Sequence, residues 1–184
     1  MEFDKDLSAR QEARLMAKQA DAAQHLLEQL PQEKLDAIVT AVAEAFENQA
    51  EKLAEQAAEE TGFGNAGDKT VKNRFASRHV LNAIKDMKTV GVLNRNPEEK
   101  LWEIGVPVGV IAAIVPSTNP TSTVCYKALI ALKAGNAIIF SPHPKALRCT
   151  LAAARIVAEA AERLVRRRGL SGVSPFRLWT AAGN

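Results

Sequence analysis

The segment Glu103–Lys145 constrains the fold of this chain more strongly than any other part of the sequence. It contains two apolar runs, Val108–Val115 and Ala137–Phe140, and proline or glycine flanks each of them. Apolar runs of about four to eight residues are typical of strands that are buried on both faces. The residues between the runs place their apolar side chains at helical spacing. A strand, a helix and a second strand in this order predict a βαβ unit with parallel strands.

Two short loops follow the predicted strands, and both are rich in proline and small polar residues. Pro116–Pro120 follows the first strand, and Ser141–Pro144 follows the second. In an open parallel sheet, ligands bind at the carboxyl ends of the strands. The sequence therefore predicts that both loops lie at one ligand-binding edge.

The residues before this unit predict long amphipathic helices. The first has a cap at Ser8 and an apolar stripe that includes Leu15. The second begins at Pro31, where the missing backbone N–H is tolerated, and runs to about Thr61. The third starts near Asp68, and its apolar positions are Val71, Phe75, Val80 and Ile84.

Three further elements are predicted around the βαβ unit. Residues 94–97 contain two asparagines and a proline, which is typical of a turn. Leu101–Val106 is a candidate strand, and Lys145–Leu164 is an alanine-rich helix. Gly135 and Asn136 precede the second strand and are expected to end the crossover helix.

The composition excludes several classes of function. The chain has 184 residues, of which 47% are apolar and 5% aromatic, enough to build one modest domain. Its formal net charge is +3, but five arginines follow Glu162 and no acidic residue does. The rest of the chain carries 19 basic and 21 acidic residues, so no nucleic-acid surface is predicted.

Cysteine usage and hydropathy predict a cytoplasmic protein. Cys125 and Cys149 are too few for a disulfide framework, and neither has partners at metal-ligand spacing. The N-terminus has no apolar leader, and no run reaches membrane-spanning length. We therefore expect no metal site and no membrane contact, and we interpret both cysteines as small buried residues.

Four motifs of the chain occur together in one known family of enzymes. They are Glu60–Gly64, Asp68–Asn73, Pro116–Ser122 and Lys127–Ala146. With these motifs the chain resembles the aldehyde dehydrogenase family, and within it the CoA-acylating acetaldehyde dehydrogenases. These include the aldehyde half of bifunctional aldehyde–alcohol dehydrogenases. The resemblance runs from about residue 9 to residue 162.

The resemblance implies an α/β fold: a partial Rossmann-like nucleotide-binding domain, preceded by the long amphipathic helices. Residues 1–163 are then the N-terminal part of the NAD-binding domain, and residues 164–184 are a tail outside the family pattern. The implied activity is that of an oxidoreductase that converts acetaldehyde or a similar short aldehyde to acyl-CoA. The implied cofactor is NAD, with NADP not excluded, and coenzyme A is the co-substrate. The resemblance also implies a homo-oligomer for a full-length protein.

Asn119 is the candidate catalytic residue. In the family that the chain resembles, the asparagine of this loop donates its amide to the oxyanion that forms when a cysteine attacks the aldehyde. A preorganised N–H of this kind lowers the barrier by about 3–4 kcal/mol. The alternative is that Asn119 caps the following helix, a position that asparagine favours. The residues alone leave both interpretations open.

The candidate cofactor-binding residues lie on the same two loops. They are Pro116, Ser117, Thr118, Ser141, Pro142 and His143. In the wider family, a lysine at the position of Ser141 and a glutamate near Pro144 hold the ribose of the cofactor, and both are absent here. A rigid, proline-locked turn without a ligand is therefore the alternative for the second loop.

The nucleophilic cysteine of the family has no counterpart in this sequence. In the resembled enzymes it comes from a much later segment, so Cys125 is not assigned that role. The chain as it stands is therefore expected to be inactive. A non-catalytic nucleotide-binding or interaction module is the alternative function.

The tail after Arg163 is expected to be an out-of-frame translation. Leu164–Gly172 can be written in permitted codons which, after insertion of one G behind the Arg163 codon, read Ala-Gly-Ala-Pro-Glu-Gly-Leu-Ile-Gly. Val173–Thr180 then reads Cys-Leu-Thr-Leu-Pro-Thr-Met-Asp, a turn and a strand of the expected kind. We therefore expect Arg166–Asn184 to pack poorly and the sheet to keep an unpaired edge.

Sequencing of the source DNA tests this hypothesis. An independent read with the additional base is expected to continue into a glycine-rich loop and a later catalytic cysteine. Codons that cannot be read in this second frame would exclude the frameshift.

Overall fold

The computed structural model describes residues 5–166 and 175–178, and in that part of the chain it contains helices on a small parallel sheet and a separate hairpin. The helices are α1 (Lys5–Leu27), α2 (Gln32–Glu47), α3 (Ala50–Thr61), α4 (Ala66–Arg74), α5 (Val80–Ile84), α6 (Pro120–Lys133) and α7 (Leu147–Arg166). The strands are β1 (Gly91–Asn96), β2 (Leu101–Gly105), β3 (Val110–Val115), β4 (Ala137–Pro142) and β5 (Phe176–Leu178). A π-helical turn, Phe75–His79, joins α4 to α5, and a 3-10 turn, Pro144–Ala146, precedes α7.

The predicted βαβ unit is confirmed. β3 and β4 pair in parallel, with Val110 opposite Ala137 and Val115 opposite Pro142, and α6 forms the crossover. β3 begins two residues later than predicted, after Gly109, which has a φ of +118°. The predicted end of the crossover helix is also observed, because Gly135 is left-handed and donates its N–H to the carbonyl of Leu132.

One main hydrophobic core holds the helices on the sheet. α2, α6 and α7 pack against one another, and α6 and α7 also contact the strands. The largest fully buried side chains are Phe46, Phe140, Leu35, Leu53, Leu129 and Leu132. α1 packs against β3 and β4, so the N-terminal helix adds to the same unit. None of the helices in the described residues is long and apolar enough to cross a membrane.

The first two predicted helices differ in detail from the observed ones. α1 begins at Lys5, so Ser8 lies inside the helix and does not cap it. Its buried side includes Met16, whereas Leu15 is 49% exposed. The predicted second helix is divided into α2 and α3, because Gln49 leaves helical geometry with a ψ of 9°. This break lets the apolar faces of both helices reach the core, a tertiary requirement that the apolar stripe does not reveal.

In the third predicted helix, Val80 and Ile84 pack against the core as expected, but the first half of the helix buries its opposite side. Val71 and Phe75 are 67% and 61% exposed, whereas Lys69, Asn73 and Ser77 are buried. This polar side faces the loop after β3 and the start of α6, where the carbonyl of Thr118 and the hydroxyl of Thr121 supply hydrogen-bond partners. The apolar stripe therefore predicted the helix correctly, but the orientation of its first half wrongly.

The residues predicted as a turn at 94–97 mostly belong to a strand. β1 pairs antiparallel with β2, and Arg95 lies opposite Trp102, with its guanidinium carbon 4.2 Å from the ring centroid. The turn comes after the strand, where the side chain of Asn96 accepts the backbone N–H groups of Glu98 and Glu99. The hairpin was missed because the polar residues of β1 have no buried face to produce an alternating pattern.

A partly buried ion pair ties α6 to α2. The ammonium of Lys133, on a side chain that is 3% exposed, donates to Oδ1 of Asp36 at 2.6 Å and to the carbonyl of Lys85 at 2.8 Å. The desolvated ammonium thus has both a counter-charge and a second acceptor, which is the condition under which a buried charge is tolerated.

Most of the predicted out-of-frame tail lies outside the described residues. Three of its residues, Phe176–Leu178, pair in parallel with β4, and Ile138 donates its N–H to the carbonyl of Pro175 at 3.1 Å. Within the described residues the sheet still keeps an unpaired edge, as expected, since β3 pairs only with β4. The poor packing expected for Arg166–Asn184 and the frameshift stay predictions.

Glu60 lies near the C-terminus of α3, and its side chain caps the N-terminus of α7. Its carboxylate accepts the backbone N–H groups of Arg148 at 2.8 Å and of Cys149 at 2.7 Å. A carboxylate there satisfies orphan donors and complements the positive end of the helix dipole. Burial acts to raise the pKa of Glu60, but these backbone hydrogen bonds outweigh it and lower the pKa.

We expect Glu60→Gln to lower the free energy of unfolding by about 1 kcal/mol at neutral pH. Because the pKa of Glu60 is lower in the folded state, its contribution is present above the unfolded value of 4.5 and is lost as pH falls below it. Urea titrations of both proteins between neutral and acidic pH measure the difference. The exposed neighbour Glu59→Gln is the matched control. A difference that does not shrink in acid would contradict this role.

Candidate functional site

The register of the sheet brings the two predicted loops together. β3 and β4 end side by side, since Val115 lies opposite Pro142. The backbone N–H of His143 donates to the carbonyl of Val115 at 3.1 Å and extends the pairing beyond the strands. The loop after β3, residues 116–120, and the loop after β4, residues 141–144, therefore occupy neighbouring positions at one edge of the sheet.

Asn119 occupies the N-cap position of α6, but its side chain makes no capping hydrogen bond. Its Oδ1 instead accepts from the ammonium of Lys72 at 3.0 Å. Its Nδ2 lies 3.5 Å from Oγ1 of Thr118. Of the two sequence interpretations, side-chain capping is therefore not what the structure contains, and the amide is available for another role.

Helix α4 anchors the same loop at two further points. The ammonium of Lys69 donates to the carbonyl of Thr118 at 2.8 Å. Thr121, in the first turn of α6, donates its hydroxyl to Oδ1 of Asn73 at 2.8 Å, and the amide of Asn73 donates to the carbonyl of Ala50 at 2.9 Å. The loop is thus held by a network that runs back to the first residue of α3.

The α4 lysines give this edge of the sheet a positive character. Lys69 is only 5% exposed, and burial lowers the pKa of its ammonium, with the charge of Lys72 acting in the same direction. The ammonium of Lys127, from α6, donates to the carbonyl of Ile114 at 2.8 Å. Negative charge that develops beside Asn119 would therefore be stabilised by the surrounding groups.

The second loop offers hydrogen-bonding groups to a ligand. Nδ1 of His143 accepts the backbone N–H of Lys145 at 3.1 Å, so in the neutral imidazole the proton is on Nε2. His143 is exposed, and Ser141 and Pro142 are half-buried. On the first loop, Pro116 and Thr118 are exposed and Ser117 is half-buried. The candidate cofactor-binding residues are thus accessible and adjacent.

Both cysteines are buried and have raised thiol pKa values. Burial raises the pKa of the Cys125 thiol far above its usual value, and the carboxylate of Glu47 acts in the same direction. Burial also raises the pKa of Cys149 to about 12, with a contribution from Glu60. Because the thiolate is the nucleophile, neither residue suits nucleophilic catalysis at neutral pH. Within the described residues, no group of histidine, cysteine and acidic side chains could hold a metal ion.

Sequence reasoning missed the roles of Lys69 and Lys72. Both belong to a motif that carried the family resemblance, but neither was assigned a contact with the loop 47 or more residues away. Their spacing was the available signal, since residues three apart share one face of a helix. A face that includes Lys69, Lys72 and Asn73 is too polar for ordinary core packing and indicates polar partners.

Comparison with known proteins identifies the family to which this chain belongs. The chain matches the aldehyde dehydrogenase family over residues 5–164. A bifunctional aldehyde-alcohol dehydrogenase of Escherichia coli is 45% identical over 150 residues, which are 82% of this chain and 17% of that protein. An aldehyde-alcohol dehydrogenase of Entamoeba histolytica is 45% identical over 148 residues, or 80% of this chain and 17% of that protein.

Solved structures show the same relationship in three dimensions. An acetylating aldehyde dehydrogenase from Geobacillus thermoglucosidasius is 53% identical with a TM-score of 0.87, over 97% of this chain and 39% of that chain. A probable aldehyde dehydrogenase from Listeria monocytogenes is 54% identical with a TM-score of 0.86, over 88% of this chain and 36% of that chain. The present chain thus spans well under half the length of these relatives. The family model covers residues 5–164, and the chain belongs to the aldehyde dehydrogenase family.

Proposed function

We propose that this chain is the N-terminal part, residues 1–163, of the nucleotide-binding domain of a CoA-acylating aldehyde dehydrogenase. The proposed reaction converts acetaldehyde or a similar short aldehyde to its acyl-CoA. The observation that carries the proposal is the side chain of Asn119, which lies at the carboxyl edge of the sheet and makes no capping bond. The acetylating activity named for the Geobacillus relative supports the choice of branch.

The proposed role of Asn119 is to donate a hydrogen bond to the aldehyde oxygen. When a nucleophile adds to the aldehyde carbon, that oxygen gains negative charge and needs a donor in place before the reaction. Pro120 restricts the backbone beside Asn119, and Thr123 N–H donates to the carbonyl of Asn119 at 3.2 Å, so the loop is already ordered. The nucleophile itself must come from a part of the enzyme outside this sequence.

The proposed cofactor contacts are made by the two loops. Hydroxyl groups of Ser117, Thr118 and Ser141, and Nε2 of His143, fit the polar edges of a nucleotide, while Pro116 and Pro142 limit loop motion. A bound nicotinamide cofactor supplies the electron acceptor of the reaction. One structural relative is described with bound NADP+ and another with bound CoA. We propose NAD for this chain, with NADP open, and coenzyme A as the acyl acceptor.

The exposed hairpin supports the proposal of a homo-oligomer for the complete enzyme. Leu101, Trp102 and Ile104 of β2 are 48%, 57% and 57% exposed, and they lie next to the similarly exposed Val106. A run of apolar side chains with this exposure is typical of a protein–protein contact.

The cytoplasmic location of the protein stays a prediction from cysteine usage and hydropathy.

A non-catalytic nucleotide-binding or interaction module is the second candidate function. The buried cysteines favour it for this chain in isolation, since the described residues include no accessible thiol. Binding of NAD to the isolated chain without turnover would support this alternative, whereas turnover would exclude it.

The isolated chain is expected to form no NADH from acetaldehyde, coenzyme A and NAD, because neither thiol suits nucleophilic attack. Both thiols should also fail to react with a coloured disulfide reagent in the native protein and react fully in denaturant. Turnover that Cys125→Ala abolishes would make Cys125 the nucleophile and contradict the proposal.

Asn119→Ala is expected to lower kcat by roughly 10²–10³ in a complete enzyme that carries this segment. A suitable enzyme is the Geobacillus relative with its corresponding segment replaced by residues 5–164 of this chain. Cofactor affinity should change little, because the amide is assigned to the aldehyde oxygen. A variant that keeps its kcat and loses only stability would show that Asn119 has a structural role.

A further inference from the structure

We propose that Lys72 is a positioning residue for Asn119: its ammonium holds Oδ1 of the amide and thereby directs Nδ2 toward the aldehyde oxygen. The proposal rests on the function proposed above and adds a residue to it. Its geometrical basis is the hydrogen bond of 3.0 Å between Nζ of Lys72 and Oδ1 of Asn119.

The hydrogen-bonding chemistry of lysine determines the orientation of the amide. A lysine ammonium has three donors and no acceptor, so it can face only the oxygen of the asparagine side chain. The Nδ2 atom must then point away from Lys72. Its contact with Oγ1 of Thr118, at 3.5 Å, is at the limit of a hydrogen bond and leaves donor capacity for a substrate.

The ammonium also makes the amide a stronger donor. A cation on the carbonyl oxygen draws electron density from the amide nitrogen, and chains of hydrogen bonds polarise one another. The bond from Lys72 is charge-assisted, which makes it stronger than a neutral one. Lys72 therefore acts on the reacting oxygen through Asn119 and does not need to touch it.

The neighbouring residue Lys69 restrains the backbone that carries the amide. It lies one helical turn before Lys72 on α4 and holds the carbonyl of Thr118 at 2.8 Å. Lys69 is buried, whereas Lys72 is exposed. Removing the Lys69 side chain would disturb packing, but removing the exposed Lys72 ammonium should leave the stability nearly unchanged. Lys72 is therefore the residue on which positioning can be tested separately from folding.

The first experiment uses the 184-residue chain itself. Proton–nitrogen correlation spectra report the side-chain amide of Asn119, which is assigned by its loss in Asn119→Ala. Lys72→Met should shift this resonance, and the exposed α3 control Lys52→Met should not. An Asn119 resonance that is unchanged in Lys72→Met overturns the contact and with it the proposal.

The second experiment measures turnover in the Geobacillus enzyme carrying residues 5–164 of this chain. Lys72→Met should lower kcat about tenfold with little change in KM, and Lys72→Arg, which can still donate to Oδ1, should restore most of it. In the Asn119→Ala background, Lys72→Met should cause no further loss, since residues that act as a unit are non-additive. A purely structural lysine would lower kcat equally in both backgrounds.

The outcomes separate this inference from the proposed function. If Asn119→Ala leaves kcat unchanged, the oxyanion role of Asn119 is wrong, whatever Lys72 does. If Asn119→Ala lowers kcat and Lys72→Met does not, the oxyanion role stands and the positioning role of Lys72 is overturned.

Discussion

The parallel pairing of β3 with β4 is the constraint on which the candidate site depends. With Val115 opposite Pro142, both strands end at the same level, and the His143 N–H continues the ladder to the carbonyl of Val115. A slip of one residue would turn every side chain of a strand to the other face. It would also separate the two loops. The fully buried Ile138 and Phe140 hold the register, since a slip would expose them.

The polar side of α4 is the second determinant of the site. Burying a lysine and an asparagine costs free energy unless each finds partners. The loop after β3 supplies the partner of Lys69, and α3 and α6 supply those of Asn73. Asn73 connects the carbonyl of Ala50 with the hydroxyl of Thr121, so α3, α4 and α6 meet at one side chain. The loop geometry therefore depends on residues about fifty positions earlier in the chain. Helices α3 and α4 therefore contribute residues to the candidate site and also hold its loop in place.

Several large apolar side chains of the described residues are exposed to solvent. Ile114, the fifth of the six residues of β3, is 78% exposed, although parallel sheets are normally covered on both faces. The relatives have far longer chains than this one, which spans 39% of the Geobacillus structure. An exposed apolar surface of this kind also favours association of the isolated chain.

The sequence by itself determined the βαβ unit, the two loops at its edge and the family, because apolar runs, helical spacing and proline-rich loops are local signals. It also identified Asn119, but left open whether that side chain caps α6. Only the tertiary structure decided this, because the side chain of Asn119 is hydrogen-bonded to Lys72, which lies on α4, 47 residues earlier in the sequence. The same reason explains why Val71 and Phe75 were expected in the core and Lys69 was not. A stripe of apolar residues shows that a helix forms, whereas the side that is buried depends on the groups it meets after folding.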